Sequence, residues 1–259
     1  MYNDWFSIGP LTIHGYGVMT ALGLIAALLL ASFRAKKRGL SDDICYGILF
    51  TGVIFGYMGS KLMYVLVEFD DFIKNPRMII SSGGFVVVGG LTTGVLACYL
   101  YCRIKKVNFI EYFDLVAPSI ALAQCLGRIG CFFAGCCYGK ETTSACGITF
   151  LHSDFAPNGV KLIPTQLIMS GANLLHMAVL LVIARFAKKK GLVSGLYICF
   201  YSIGRFLIEY LRNDDRGNVG IFSTSQFYSI ITLVIGIAYL AFNLLRKEKE
   251  TQEEIHEEV

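Results

Sequence analysis

Apolar residues along this chain come as seven long blocks, at about 11–33, 44–67, 78–101, 113–133, 164–186, 192–211 and 221–245, with short polar connections between them. Neither the strict alternation of a half-buried strand nor the single stripe of a surface helix runs through them. Each block holds 20 residues or more, enough for a helix rising ~1.5 Å per residue to cross a hydrocarbon layer about 30 Å thick. A backbone in lipid must satisfy its own hydrogen bonds, so the blocks predict helices. The expected fold class is all-α, a polytopic membrane protein with about seven transmembrane helices. The third block contains Gly83, Gly84, Gly89, Gly90 and Gly94, which predicts a broken or partly re-entrant segment, tolerated only where protein or a cavity surrounds it.

Composition agrees and narrows the classes. Of 259 residues, 55% are hydrophobic and 16% charged, which excludes a soluble domain, a disordered chain and a small disulfide scaffold. Fourteen of the 23 Lys and Arg follow the first, third, fifth and seventh blocks, and six lie in the other connections. By the positive-inside rule the N-terminus is expected outside and the C-terminus cytoplasmic. The net charge of +4 then reflects topology, and no nucleic-acid partner is expected. Residues 1–10 have no basic n-region, so the first block reads as a signal anchor. Residues 1–247 are expected to form one integral-membrane domain with an outer loop at about 134–163. Residues 248–259 read as a disordered acidic cytoplasmic tail. No internal repeat speaks for a transporter.

The three remaining cations, Lys61, Arg128 and Arg205, fall inside blocks, as does Glu209. Each costs roughly 2.5–3.5 kcal/mol at mid-helix on insertion scales. Counted from the cytoplasmic ends at ~1.5 Å per residue, Arg205, Arg128 and Lys61 reach similar depths of ~20 to ~25 Å. Tyr16 enters from the same outer side. Tyr201, Arg205, Glu209 and Arg212 recur at i, i+4, i+8 and i+11, one helical face. A stripe of phenol, guanidinium and carboxylate suits a phosphate head group, with Arg as a two-pronged donor. A purely structural ion pair is the competing reading.

Around Arg128 the chain reads Gly127-Arg128-Ile129-Gly130-Cys131-Phe132-Phe133-Ala134-Gly135-Cys136-Cys137-Tyr138-Gly139-Lys140. Glycines at this density let a backbone or a ligand approach closely. Cys131, Cys136, Cys137 and Cys146 cluster there, open to loop stabilisation, disulfides or thiol exchange. Their spacing is no standard zinc pattern, and neither a metal site nor a cofactor is expected. His176, on an apolar background, reads as a core residue.

These motifs resemble the prolipoprotein diacylglyceryl transferase family over nearly the whole chain. The stretch 127–139 resembles its Gly-Arg-x-Gly-Asn-Phe signature. Phe6-Ser7-Ile8-Gly9-Pro10 with His14, Tyr16 and Gly17 resembles its opening. Pro164-Thr165-Gln166-Leu167 is similar to its fifth-helix motif, Tyr201 to Arg212 to its sixth, and Ser225-Gln226 to its seventh. The resemblance implies transfer of a diacylglyceryl group from phosphatidylglycerol to the lipobox cysteine of a preprolipoprotein signal peptide, in the bacterial cytoplasmic membrane. It further implies that Arg128 and Arg205 hold the phosphate, that Glu209 orients Arg205, and that Tyr16 and Tyr201 line the site. Gly139 would permit close approach, and Lys61 and Arg212 would add substrate-binding charge.

The chain departs from the family pattern at the histidine preceding Gly89-Gly90, where it has Val88. It also has Cys131 for asparagine, Cys136 for an acid, Ile163 for a histidine, and Ile168-Met169 for Tyr-Glu. A non-catalytic phospholipid-binding paralogue that has lost the thiol-activating histidine is therefore the alternative.

Overall fold

A computed structural model describes residues 3–9, 11–75, 84–214 and 217–257. Among these residues, seven helices are long and apolar enough to cross a membrane. They are α1 (Gly15–Lys37), α2 (Asp42–Val67), α4 (Val87–Ile104), α5 (Phe109–Ala134), α6 (Thr165–Phe186), α7 (Leu192–Ile208) and α8 (Thr224–Glu257). A short amphipathic α3 (Phe69–Lys74) lies between α2 and α4. The protein is an all-α polytopic membrane protein. Contacts divide the chain into two compact units, Met1–Leu30 with Phe113–Val259, and Ala31–Tyr112.

Two block boundaries move. The first span begins at Gly15, because β1 (Asp4–Ile8) and β2 (Leu11–His14) form an antiparallel hairpin. Gly9, at φ 60, opens its turn, a conformation that costs glycine little. At the other end, α8 runs on through the acidic stretch expected to be disordered. The only glycine in it is Gly236, it has no proline, and its Lys, Glu and Gln residues have high helix propensity.

In the unit Ala31–Tyr112 the core contact is α2 against α4. The glycines of the third block sit here as close-packing residues of a regular helix. A Cβ on Gly89 would lie 2.5 Å from the Gly59 carbonyl oxygen, and one on Gly59 would lie 2.7 Å from the Gly89 oxygen. Thr93 Oγ1 donates across the seam to the Phe55 carbonyl at 2.9 Å. This is small-residue packing, in which backbones rather than side chains meet. Gly84, at φ 72, precedes α4; Gly83 and the start of the expected third span lie outside the described residues.

The other unit holds α5 to α8 and the first turns of α1. Its main cluster packs Ala117 and Ala121 of α5 against Leu180 and Ala184 of α6 and Val193 and Tyr197 of α7. Asp114, buried on α5, fixes the start of α7. It accepts hydrogen bonds from the backbone N–H groups of Gly191 at 2.6 Å and Ser194 at 2.7 Å, and from Ser194 Oγ at 2.6 Å. A carboxylate at a helix N-terminus satisfies orphan donors and opposes the helix dipole. That contact sets where along its axis α7 presents every later residue. The loop at 135–164 carries two short strands, β3 (Ile148–Thr149) and β4 (Lys161–Leu162). A small core of Phe132, Phe150, Ala156 and Leu162 lies beneath it.

Candidate active site

The polar face of α7 holds its helical register only as far as Glu209. The chain then tightens into a 3-10 turn at Glu209–Leu211. Arg212 is extended, with ψ 155, and pairs with Gly139 in an isolated β-bridge. The expected i+11 position on a continuous helix is thus corrected. Arg212 reaches the same region from a loop, since the 3-10 turn ends the helical twist one turn early.

Arg205 and Glu209 form an almost buried ion pair, Nη1 to Oε2 at 2.6 Å, with side chains 10% and 9% exposed. The other arm of Arg205 donates to Ser225 Oγ at 2.6 Å. The other oxygen of Glu209 accepts from Ser223 Oγ at 2.9 Å. Both serines belong to the start of α8, where a capping box operates. The Ser223 N–H donates to Gln226 Oε1 at 3.1 Å, and the Gln226 N–H to Ser223 Oγ at 3.2 Å. The cap that starts α8 therefore also fixes the rotamers of Arg205 and Glu209.

Glu209 Oε2 also lies 3.9 Å from Arg212 Nε. Arg212, with its side chain 2% exposed, makes a two-pronged pair with Asp214, Nε to Oδ1 at 2.8 Å and Nη2 to Oδ2 at 2.6 Å. Burial works against its charge, but the Asp214 hydrogen bonds and the Cys137 sulfur outweigh burial and raise its pKa, so Arg212 stays protonated. Its third terminal nitrogen, Nη1, is buried with no hydrogen-bond partner among the described residues.

Arg128 approaches from α5. Its Nη1 lies 3.9 Å from Cys137 Sγ, and its charge is within reach of the Tyr201 phenol and the Arg212 guanidinium. Beyond Ala134 the chain turns back through Gly135 at φ 72 and Cys137 at φ 63. The first residues of α6 clamp that turn. Gln166 Nε2 donates to the Cys136 carbonyl at 2.8 Å, and Thr165 Oγ1 to the Cys137 carbonyl at 2.7 Å. Hydrogen bonds from the Cys131 and Cys136 thiols, with help from the Arg212 charge, hold the Cys137 thiol well below the usual range against the effect of burial.

The structure therefore brings Glu209 into contact with Arg205 and Arg212, and sets Arg128 within electrostatic reach of Tyr201 and Arg212; together these residues form a network of charge and contact. Tyr16, at the start of α1, is half exposed and within electrostatic reach of Cys131, Cys136 and Cys137. Its carbonyl oxygen packs against Gly130, where a Cβ would lie 3.2 Å away. Gly139 does permit a close approach, but by the chain itself: a Cβ there would lie 2.6 Å from the Ile163 carbonyl. Lys61 belongs to the other unit, where it is buried with its Nζ 4.2 Å above the Phe85 ring.

A cavity of about 530 Å³ opens between α6 and α7, with Tyr201 and Arg205 on its wall. Arg128 is not among the residues lining it. Arg128 connects to the cavity through Tyr201. Asn173 and His176 line it too, and Asn173 Nδ2 and His176 Nε2 lack partners among the described residues. His176 stacks on Tyr197 at 5.3 Å, which agrees with a core position and adds a cavity wall. Sequence reasoning missed Asp214, Ser223 and Asn173. An acid two residues after an arginine reads as surface charge, and the Ser223-x-x-Gln226 spacing was the only available signal for the cap.

Comparison with known proteins matches residues 3–242 to the family model described as prolipoprotein diacylglyceryl transferase. The phosphatidylglycerol–prolipoprotein diacylglyceryl transferase of Clostridium tetani is 45% identical over 246 residues, covering 95% of this chain and 98% of its own. The second such transferase of Clostridium perfringens is 43% identical, covering 94% of this chain and 96% of its own. That of Clostridium botulinum strain Loch Maree is 35% identical, with 94% and 97% covered.

Proposed function

The chain belongs to the prolipoprotein diacylglyceryl transferase family, and from that premise we propose that it transfers the diacylglyceryl group of phosphatidylglycerol to the thiol of a lipobox cysteine in a preprolipoprotein signal peptide. The sulfur attacks the glyceryl carbon next to the phosphate oxygen, and a C–S bond forms as that C–O bond breaks. The bonding pair leaves with glycerol 1-phosphate, and the thiol proton is released. The phosphate passes from one negative charge to two, so guanidinium groups fixed beside it act most strongly in the transition state.

The observation that carries this reading is the arginine network. Within it three guanidinium groups, those of Arg128, Arg205 and Arg212, gather around the carboxylates of Glu209 and Asp214, a donor-rich setting for a phosphodiester. Nη1 of Arg212, a buried donor with no hydrogen-bond partner among the described residues, is one that a phosphate oxygen would satisfy. In this assignment Arg128 and Arg205 hold the phosphate and Glu209 orients Arg205. Arg212 adds a third donor, and Tyr16 and Tyr201 flank the site. Arg128 and Arg205 lie on α5 and α7 far from the basic ends of the spans. By the positive-inside rule they then face the outer half of a bacterial cytoplasmic membrane, with the N-terminus outside and the C-terminus cytoplasmic.

The alternative, a lipid-binding paralogue without catalysis, rests on Val88, a half-buried apolar residue on α4. The two readings separate in one experiment. The chain is expressed in a bacterium depleted of its own transferase, and lipoprotein maturation is scored. Restored maturation, lost again in Arg205→Ala, supports the transferase. Well-expressed protein that restores nothing refutes it.

A further inference from the structure

We propose that Cys131, Cys136 and Cys137 form a binding site for a single thiophilic d10 metal ion of the copper(I), zinc or cadmium class. The proposal is independent of the transferase reading and needs no lipid substrate.

The sulfurs of these three residues all lie within 4.8 Å of one another. Three thiolates around one ion at a metal–sulfur distance of ~2.3 Å stand ~3.8–4.0 Å apart, so modest rotamer adjustment closes the set. The residues are not close merely by sequence. Cys131 sits on the last turn of α5, and Cys136 and Cys137 follow a reversal through Gly135 at φ 72 and Cys137 itself at φ 63. A left-handed conformation at a non-glycine residue is unfavourable and persists only when its surroundings enforce it. Here Gln166 and Thr165 enforce it by gripping the carbonyls of Cys136 and Cys137. The result is that the Cys137 sulfur turns back toward Cys131, which a helical continuation would not do.

The electrostatic setting suits thiolate ligands. An ion of charge +1 or +2 bound by three thiolates leaves a net negative centre, which is costly in a half-buried, membrane-associated position unless cations lie beside it. Arg128 Nη1 is 3.9 Å from Cys137 Sγ, and Arg212 also acts on that sulfur. None of the nine cysteines is joined in a disulfide in this structure, so the three sulfurs are free to act as ligands. Soft sulfur donors select d10 ions over magnesium or calcium. Cys146 is exposed and does not join the set.

The test titrates cadmium(II) into the full-length protein in detergent, kept reduced with a phosphine. It reads the ultraviolet thiolate-to-cadmium charge-transfer band and the protons released as thiols deprotonate. One equivalent is expected to bind. In the unmutated protein, bound cadmium should protect three thiols, Cys131, Cys136 and Cys137, from alkylation, as counted by peptide mass. Cys131→Ser, Cys136→Ser and Cys137→Ser should each weaken binding by at least about a hundredfold, more than loss of an outer-shell partner costs, while Cys146→Ser binds as before. Protection of a different set, no band in reduced protein, or undiminished binding in Cys137→Ser would overturn the proposal. The alkylation map needs no variant, so a misfolded mutant leaves the outcome decisive.

Discussion

Replacing Glu209 with Gln should weaken the fold and the transfer reaction together. Glu209 contacts both Arg205 and Arg212, at 2.6 and 3.9 Å. Gln keeps the shape and one carbonyl-type acceptor but removes the charge. Two unit charges ~4 Å apart interact by about 4 kcal/mol at an effective dielectric of 20. The amide still accepts a neutral hydrogen bond from Arg205, which returns about 1 kcal/mol. A net loss of about 3 kcal/mol is expected, at the lower edge of the cost of breaking a buried pair. For a chain of this size that corresponds to a fall of about 6–12 °C in Tm.

The catalytic consequence follows from geometry. With Glu209 neutral, the Arg205 fork is no longer held by charge beside its hydrogen bond to Ser225, and it can swing. A displacement of about 1 Å in a positioning group costs on the order of 10²-fold in rate. The assays are thermal unfolding in detergent and transfer from labelled phosphatidylglycerol to a lipobox peptide. A double-mutant cycle with Arg205→Gln isolates the pair and should give a coupling of at least about 1 kcal/mol. Zero coupling, with Tm and transfer rate both unchanged in Glu209→Gln, would refute the reasoning.

Arg128→Ala should lower transfer by about 10²–10³, and Arg128→Lys by less, because Lys keeps the charge without the planar two-donor fork; equal rates for wild type and Arg128→Ala would remove Arg128 from the site. Val88→His should raise the transfer rate if thiol activation limits it, measured with the same peptide. Asp114→Asn should lower Tm by destabilising the fold about 2 kcal/mol, since the amide answers only part of the three donors now pointing at the carboxylate; an unchanged Tm counts against Asp114 as the anchor of α7. Cys137 should lose less of its iodoacetamide alkylation rate between pH 8 and pH 6 than an ordinary thiol does. An ordinary thiol of pKa ~8.5 slows roughly 75-fold over that interval; because the folded-state pKa is depressed, Cys137 thiolate persists as pH falls, and a 75-fold drop would contradict the assignment.

The spans were legible because their signal is length, and length in lipid admits one backbone solution. Composition gave no warning at the first boundary. Leu11, Thr12 and Ile13 count as part of an apolar run, yet their β-branched alternation opposite Asp4–Ile8 belongs to a hairpin. The Gly9-Pro10 pair marked that turn in the sequence. The glycines of the third block misled differently. Glycine weakens an isolated helix, so five of them suggested a break. Against α2, Gly59 meeting Gly89 turns the same residues into the contact surface of an intact helix. A single sequence cannot distinguish these cases, because the deciding partner is 30 residues away.

The site shows where one-dimensional periodicity ends and three-dimensional capping begins. The i, i+4 spacing of Arg205 and Glu209 sufficed to predict an ion pair, because α7 is regular up to Ile208 and Glu209 keeps helical dihedrals at its C-cap. Extending the period to Arg212 assumed that the helix continued. Instead the 3-10 turn at Glu209–Leu211 and the bridge to Gly139 carry Arg212 toward Cys137, a sulfur 75 positions earlier in the chain. Gly139 is needed for that outcome, since any Cβ would strike Ile163 and push the strand away. The arginine network is therefore assembled by two devices outside α7: the capping box of α8, which fixes Arg205 and Glu209, and the glycine contact that seats Arg212. A substitution at Ser223 or Gly139 should consequently disturb the site as much as one among the charged residues themselves.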